Sequence, residues 1–135
     1  MRSHPWLRFG ARRAGEISYV WRSLLDAGAV VTNGTDAPVE DVDPIASFYA
    51  SVTRKMSDGE HFHPEQSMTR MEALRAYTIH NAYAAFEEHL KGSIAPGKLA
   101  DITVLSKDVM KIPVDEIPTA RVAYTIVGGK IAFSE

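Results

Sequence analysis

The chain has 135 residues, 45% of them hydrophobic and 24% charged, with a net charge of -2. This is the make-up of one globular domain with a real core, yet it is too short for a complete (β/α)8 barrel, which takes about 250 residues. The charge excludes a basic field for nucleic acid or an anionic membrane, the lack of cysteine excludes disulfides and thiolate metal sites, and no apolar run approaches a membrane span of roughly 18 residues.

Residues 1–13 are arginine-rich and no acid precedes Glu16, as in an organellar targeting peptide. Pro5 and Gly10 break any amphipathic helix there, so an irregular lead-in is the expectation. The apolar core of a secretory signal is missing, and the chain is read as cytoplasmic. Ile17, Val20, Trp21, Leu24 and Leu25 then recur at helical spacing, which predicts a helix over 16–27. Gly28 stands where a left-handed C-cap is wanted. Ala29-Val30-Val31-Thr32-Asn33 reads as a short buried strand, and Gly34-Thr35-Asp36-Ala37-Pro38-Val39 turns off its end. Helix, glycine turn and apolar strand make half of a βαβ crossover, which points to a parallel sheet.

Asp36 is the candidate functional residue, because α/β barrels place catalytic groups at the carboxyl ends of parallel strands. Turn aspartates also commonly bond their own backbone. The residues alone leave both roles open.

Asp43-Pro44 is a helix start, with Asp as N-cap and Pro at the first helical position. Ile45, Phe48, Tyr49 and Val52 supply the apolar face to about Arg54. Residues 55–66 are polar, with Gly59 and Pro64, and are expected to form a surface loop. Thr69-Arg70-Met71-Glu72 has the form of a capping box opening a long helix to about Glu88. After Lys91 the composition changes. Residues 92–99 are turn-rich, Ala100 to Leu105 reads as a strand, and Val122 to Val127 and Lys130 to Phe133 flank the hairpin signal Gly128-Gly129.

Five segments together resemble metal-dependent amidohydrolases. They are Tyr19 to Gly28, the Gly34-Thr-Asp-Ala-Pro-Val39 turn, Met68 to Thr78, the Lys91-Gly-Ser-Ile-Ala-Pro-Gly-Lys-Leu-Ala-Asp-Ile-Thr-Val-Leu105 run, and Ile126-Val-Gly-Gly-Lys130. The resemblance runs from about Arg12 to Phe133 and is nearest to the amidohydrolase 3, or YtcJ-like, branch. It implies an α/β fold: a partial (β/α)8 (TIM) barrel fragment in residues 1–90, followed in 91–135 by a small β-rich tail from a β-sandwich shared with N-terminal segments. It also implies hydrolysis of C–N bonds other than peptide bonds in a small-molecule substrate. Asp36 is then the catalytic carboxylate beside a divalent metal, zinc by expectation. A bound cation lowers the pKa of water to about 7, and a neighbouring carboxylate can take the proton and pass it to the leaving nitrogen.

The family's other metal ligands belong to segments not found here, and a catalytic zinc usually needs three protein ligands. The isolated chain is therefore expected to hold no metal and to be inactive alone. A homo-oligomer or a complementary N-terminal polypeptide is expected to cover its open faces, with no nucleic-acid or membrane partner. The alternative is a non-catalytic, self-associating module.

His61-Phe62-His63 has the look of a His-x-His metal pair. It lies in a polar loop with Pro64 next and no apolar strand before it, so a loop role, or a touch on substrate in the full enzyme, is the reading. His4, His80 and His89 are isolated, and His80 is assigned to helix packing. Arg12, Arg13 and Arg22 are explained equally well as solvated helix positions or substrate contacts. Trp21 and Tyr77 are expected in the core, and Asp101 in tying the turn before its strand.

Overall fold

A computed structural model describes residues 18–135. The targeting-peptide reading of residues 1–13, Arg12, Arg13 and Glu16 lie outside the described residues. The helix expected over 16–27 begins only at Trp21, because Tyr19 stands in a left-handed backbone at φ +56°. The chain forms α1 (Trp21–Asp26), α2 (Pro44–Thr53), α3 (Arg70–Tyr77) and α4 (Ile79–Ala84), then β1 (Ile102–Leu105), β2 (Val122–Val127) and β3 (Lys130–Ser134). Two short 3-10 turns, Pro64–Gln66 and Val114–Thr119, lie between them.

Local chemistry places the helix ends. After α1 the Gly28 N–H donates to the Leu25 carbonyl and the Ala29 N–H to the Leu24 carbonyl, with Gly28 at φ +82°. This is a Schellman ending. Asp43 caps α2 by accepting from the Ile45 and Ala46 N–H groups, each at 3.0 Å. Thr69 and Glu72 form the expected capping box at α3.

The long helix anticipated through Glu88 is instead two helices. Thr78 breaks it at φ -122°, ψ -94°, and its Oγ1 donates back to the Leu74 carbonyl at 2.7 Å. Gly92 is pressed into the break: a Cβ there would lie 2.8 Å from Ala82 Cβ and 2.9 Å from Ile79 Cα. Tertiary contact, not helix propensity, decides this point.

Helix α4 ends with the Glu87 N–H donating to the Ala82 carbonyl and Phe86 at φ +58°. A left-handed backbone suits glycine and strains an aromatic residue. Phe86 is also 91% exposed, so its ring gains little from packing. Phe86→Gly is expected to stabilise the chain by about 1 kcal/mol, read as a higher urea midpoint at unchanged slope.

The strands form one antiparallel sheet in the order β1-β2-β3. Ile102 faces Ile126 and Thr103 faces Thr125, while Val127 and Lys130 close the two-residue Gly128-Gly129 hairpin. Asp101 does more than tie its own turn: Oδ1 accepts the Gly128 N–H at 2.7 Å, and the Ala100 carbonyl accepts Gly129 N–H at 2.9 Å. The start of β1 thereby holds the hairpin 27 residues later.

The core joins both halves of the chain. Val31, Phe48, Met68, Ala73 and Ala76 cluster with Val109, Ile117 and Ala120 from the β1–β2 connection. Ile117 is fully buried. Ala29–Asn33, expected as a strand, runs with no strand partner among the described residues. Helices meet its Val31 and Asn33 carbonyls and its Asn33 N–H instead.

Arg22 is not a merely solvated position. Its guanidinium forks onto both oxygens of Glu72, with Nη1 to Oε1 at 3.0 Å and Nη2 to Oε2 closer still, pinning α1 to the start of α3. Glu72 Oε2 also accepts the Thr69 N–H at 2.7 Å. The Arg22 fork, with the Thr69 bonds behind it, pushes the Glu72 carboxyl down to about 2.

An acid held below its unfolded value near 4.5 stabilises the fold above that pH. The contribution is lost as pH falls from about 4.5 through about 2. Each side chain is 27% exposed, so solvent weakens the pair. Glu72→Gln is expected to cost about 1–2 kcal/mol at pH 7, with the gap to the unmodified chain closing toward pH 2. Urea titrations at pH 7 and pH 3 measure it; an equal gap at both would refute the ion-pair account.

Candidate active site

The Gly34–Val39 turn opens onto a cleft of about 520 Å³ lined by Tyr19, Trp21, Asn33, Asp36, Ser51 and Met68, together with Val31, Thr32 and Gly34. The side chains arrive from well-separated parts of the chain. Trp21 opens α1, Ser51 is on α2, and Met68 precedes α3.

Asn33 is the hub. Its Nδ2 donates to Ser51 Oγ at 2.7 Å, its Oδ1 accepts the Gly34 N–H at 2.9 Å, and its own N–H donates to the Ala76 carbonyl at 3.1 Å. Ser51 Oγ donates onward to the Ser47 carbonyl at 2.8 Å. Asn81 Nδ2 donates to the Asn33 carbonyl at 2.9 Å, and His80 holds the Val31 carbonyl through Nδ1 at 3.0 Å. His80 thus positions the segment before the turn, a more particular task than helix packing.

Asp36 sits in this turn at φ +54°, with its carbonyl accepting the Val39 N–H at 2.8 Å and a cis Ala37–Pro38 peptide following. Its side chain is exposed, and among the described residues no hydrogen bond or ion pair occupies the carboxylate. Asp41 nearby shares this, its carboxylate also having no partner among the described residues, whereas four other loop aspartates behave differently. Asp43, Asp58, Asp101 and Asp108 each accept a backbone N–H through Oδ1, from Ile45 and Ala46, Glu60, Gly128 and Met110 respectively. Those four serve their turns. The Asp36 carboxylate does not.

The histidine pair is separately engaged. His61 Nδ1 donates to the Thr53 carbonyl at 2.7 Å, and His63 Nδ1 meets Glu65 Oε1 at 2.8 Å. Their loop folds back on itself through a Lys55–His61 bridge. It touches the cleft wall indirectly, since Phe62 packs edge-on against Tyr19 with ring centroids 6.3 Å apart. Among the described residues no three His, Cys, Asp or Glu side chains come together to hold a metal. A catalytic zinc takes three protein ligands, so these residues do not make such a site by themselves.

Asn33, Ser51, Tyr19 and Met68 were not foreseen as site residues. Asn33 immediately before a Gly-x-Asp turn is the one local signal. Its partnership with Ser51, 18 residues away, is a tertiary event.

The amidohydrolase family matches residues 3–133. The chain belongs to that family. It is 31% identical to the putative amidohydrolase YtcJ of Bacillus subtilis over 97% of this chain and 26% of the relative. Against LONG AFTER FAR-RED 3 of Arabidopsis thaliana it is 38% identical, covering 91% of this chain and 21% of the relative. The N-substituted formamide deformylase of Arthrobacter pascens is 31% identical, covering 97% and 26% respectively. The crystal structure of an amidohydrolase from Thermotoga maritima superposes with a TM-score of 0.67 at 19% identity, over 87% of this chain and 26% of that one, a likeness of fold. The chain thus spans about a quarter of the length of the relatives it matches.

Proposed function

We propose that this chain contributes Asp36 as the proton-transferring carboxylate of an amidohydrolase site that hydrolyses C–N bonds other than peptide bonds in small molecules. The observation that carries the reading is the Asp36 side chain itself, free of turn bonds and lining a cleft, in a member of this family. Asp36 accepts a proton from the attacking water and returns it to the leaving nitrogen, so that no amide anion need depart. Asn33 and Ser51 hold the backbone that presents it.

The same reading makes 29–33 a barrel strand, residues 1–90 a barrel segment and 91–135 the sandwich strands. It takes the ligands for a divalent metal, zinc by the family's chemistry, from the rest of the fold. Cytoplasm is the proposed compartment; no described helix is long and apolar enough to cross a membrane. The deformylase relative suggests N-substituted formamides as the first substrates to try.

The test is to co-purify the chain with a polypeptide corresponding to the first three quarters of the Bacillus subtilis relative. Amine release from a panel of formamides and cyclic amides is then followed with zinc supplied. Turnover by the complex is expected. A folded, zinc-loaded complex that hydrolyses none of them would favour the non-catalytic, self-associating module instead.

A further inference from the structure

Asn33 is followed by glycine, and its side chain is folded over the next peptide nitrogen: the Gly34 N–H donates to Asn33 Oδ1 at 2.9 Å. Oδ1 and Cγ belong to one planar amide, so the Gly34 nitrogen also stands beside Cγ. That nitrogen, with the carbonyl carbon, Cα, Cβ and Cγ of Asn33, makes up the ring of a cyclic imide, gathered around the one bond still missing. Holding reacting groups together in this way lowers the entropic cost of joining them. Gly34 is exposed to water and carries no Cβ to hinder the approach.

The chain's other asparagine is placed differently. Asn81 precedes Ala82, which is 3% exposed and spends its N–H on the Thr78 carbonyl at 3.1 Å. The Asn81 Nδ2 is committed to the Asn33 carbonyl.

We propose that Asn33–Gly34 is a self-modification site, at which the chain converts its own asparagine to aspartate and isoaspartate and so takes its cleft apart. The Gly34 nitrogen gives its proton to a base in the solvent and bonds to Cγ. The Cγ–Nδ2 bond breaks, and Nδ2 leaves as ammonia with a proton from water. Water then opens the imide. Cleavage between the nitrogen and Cγ gives aspartate on an unchanged backbone. Cleavage between the nitrogen and the Asn33 carbonyl carbon gives isoaspartate, with the chain rerouted through Cβ and Cγ. Nothing is oxidised or reduced; water enters and ammonia departs.

Either product undoes the hub. A carboxylate oxygen replaces the Nδ2 donor that faces Ser51, whose Oγ already donates to the Ser47 carbonyl, so the hydroxyl can serve only one of the two. Ser51 is 9% exposed, and a charge placed beside it is poorly solvated. Isoaspartate also lengthens the backbone just ahead of the Gly34–Val39 turn and displaces Asp36.

The test holds the full chain in warm, mildly alkaline buffer, either folded or unfolded in urea, and then weighs its tryptic peptides. Peptide 23–54 carries Asn33 and peptide 76–91 carries Asn81. In the folded chain, 23–54 is expected to gain the mass of an amide-to-acid exchange at least as fast as in urea, and to become a substrate for isoaspartyl methyltransferase. Peptide 76–91 is expected to keep its mass. Gly34→Ala is expected to slow the conversion at least about tenfold, because a Cβ crowds and stiffens the attacking nitrogen. The turn has room for it: Gly34 holds no left-handed φ, and a Cβ there meets nothing within 4 Å.

Slower conversion in the folded chain than in urea, or an equal gain at 76–91, would mean that the fold does not prepare this amide, and would overturn the proposal. An unchanged rate in Gly34→Ala, or a mass gain without isoaspartate, would give the attack to water rather than to the backbone and overturn it as well. Because mass is the readout, none of these results depends on the proposed function.

Discussion

Asp36→Asn is expected to lower kcat for C–N hydrolysis in the reconstituted enzyme by about 10²–10⁴-fold, the range ascribed to a positioned acid–base group. The substitution separates chemistry from folding. Asparagine matches aspartate in shape and tolerates a left-handed backbone, so the φ +54° turn and its Val39 bond should persist. Because the carboxylate accepts no backbone N–H, its loss leaves no turn donor unpaired, in contrast to what Asp43→Asn would risk at the α2 cap. The urea midpoint should therefore stay within about 0.5 kcal/mol of the unmodified chain. Single-turnover kinetics with matched stability curves give the measurement. Undiminished turnover would return Asp36 to the ranks of ordinary turn residues.

Gly92→Ala is expected to be the most damaging single-methyl change, at about 3 kcal/mol. Two costs add. The new Cβ lands 2.8 Å from Ala82 Cβ and 2.9 Å from Ile79 Cα, and 3.2 Å from the Thr78 carbonyl oxygen. Two of those atoms are backbone, at the break and the start of α4, so relief requires the backbone there to shift, at about 1–3 kcal/mol. Alanine must also hold φ +88°, a further cost of about 1 kcal/mol or more. Gly97→Ala is the control: it shares a positive φ of +87° but meets no atom within 4 Å. Equilibrium denaturation of the two variants side by side isolates the steric part, and equal losses would show that the close approach matters little.

Several features were legible because they depend on residues close in sequence. Asp43-Pro44, the Thr69–Glu72 box and the Gly28 ending each satisfy their backbone groups within a few residues, the Gly128-Gly129 hairpin follows from its turn residues, and each stands where the spacing places it. Other features depend on groups far apart. The Arg22–Glu72 fork spans 50 positions, the Asp101–Gly128 bond 27 and the Asn33–Ser51 bond 18. No local pattern distinguishes Arg22 from a solvated helix residue, and helical periodicity alone gives no sign of the Thr78 break.

The chain's own residues determined the family, the capped helices, the tail hairpin and the singling out of Asp36, since propensity, turn chemistry and motif order act over short stretches. Only the folded arrangement decided that the Asp36 carboxylate is unclaimed and that Asn33 and Ser51 shape its cleft. Those outcomes turn on which polar groups find partners across the molecule. That pairing is set when helices and loops pack, and it cannot be assigned before they do.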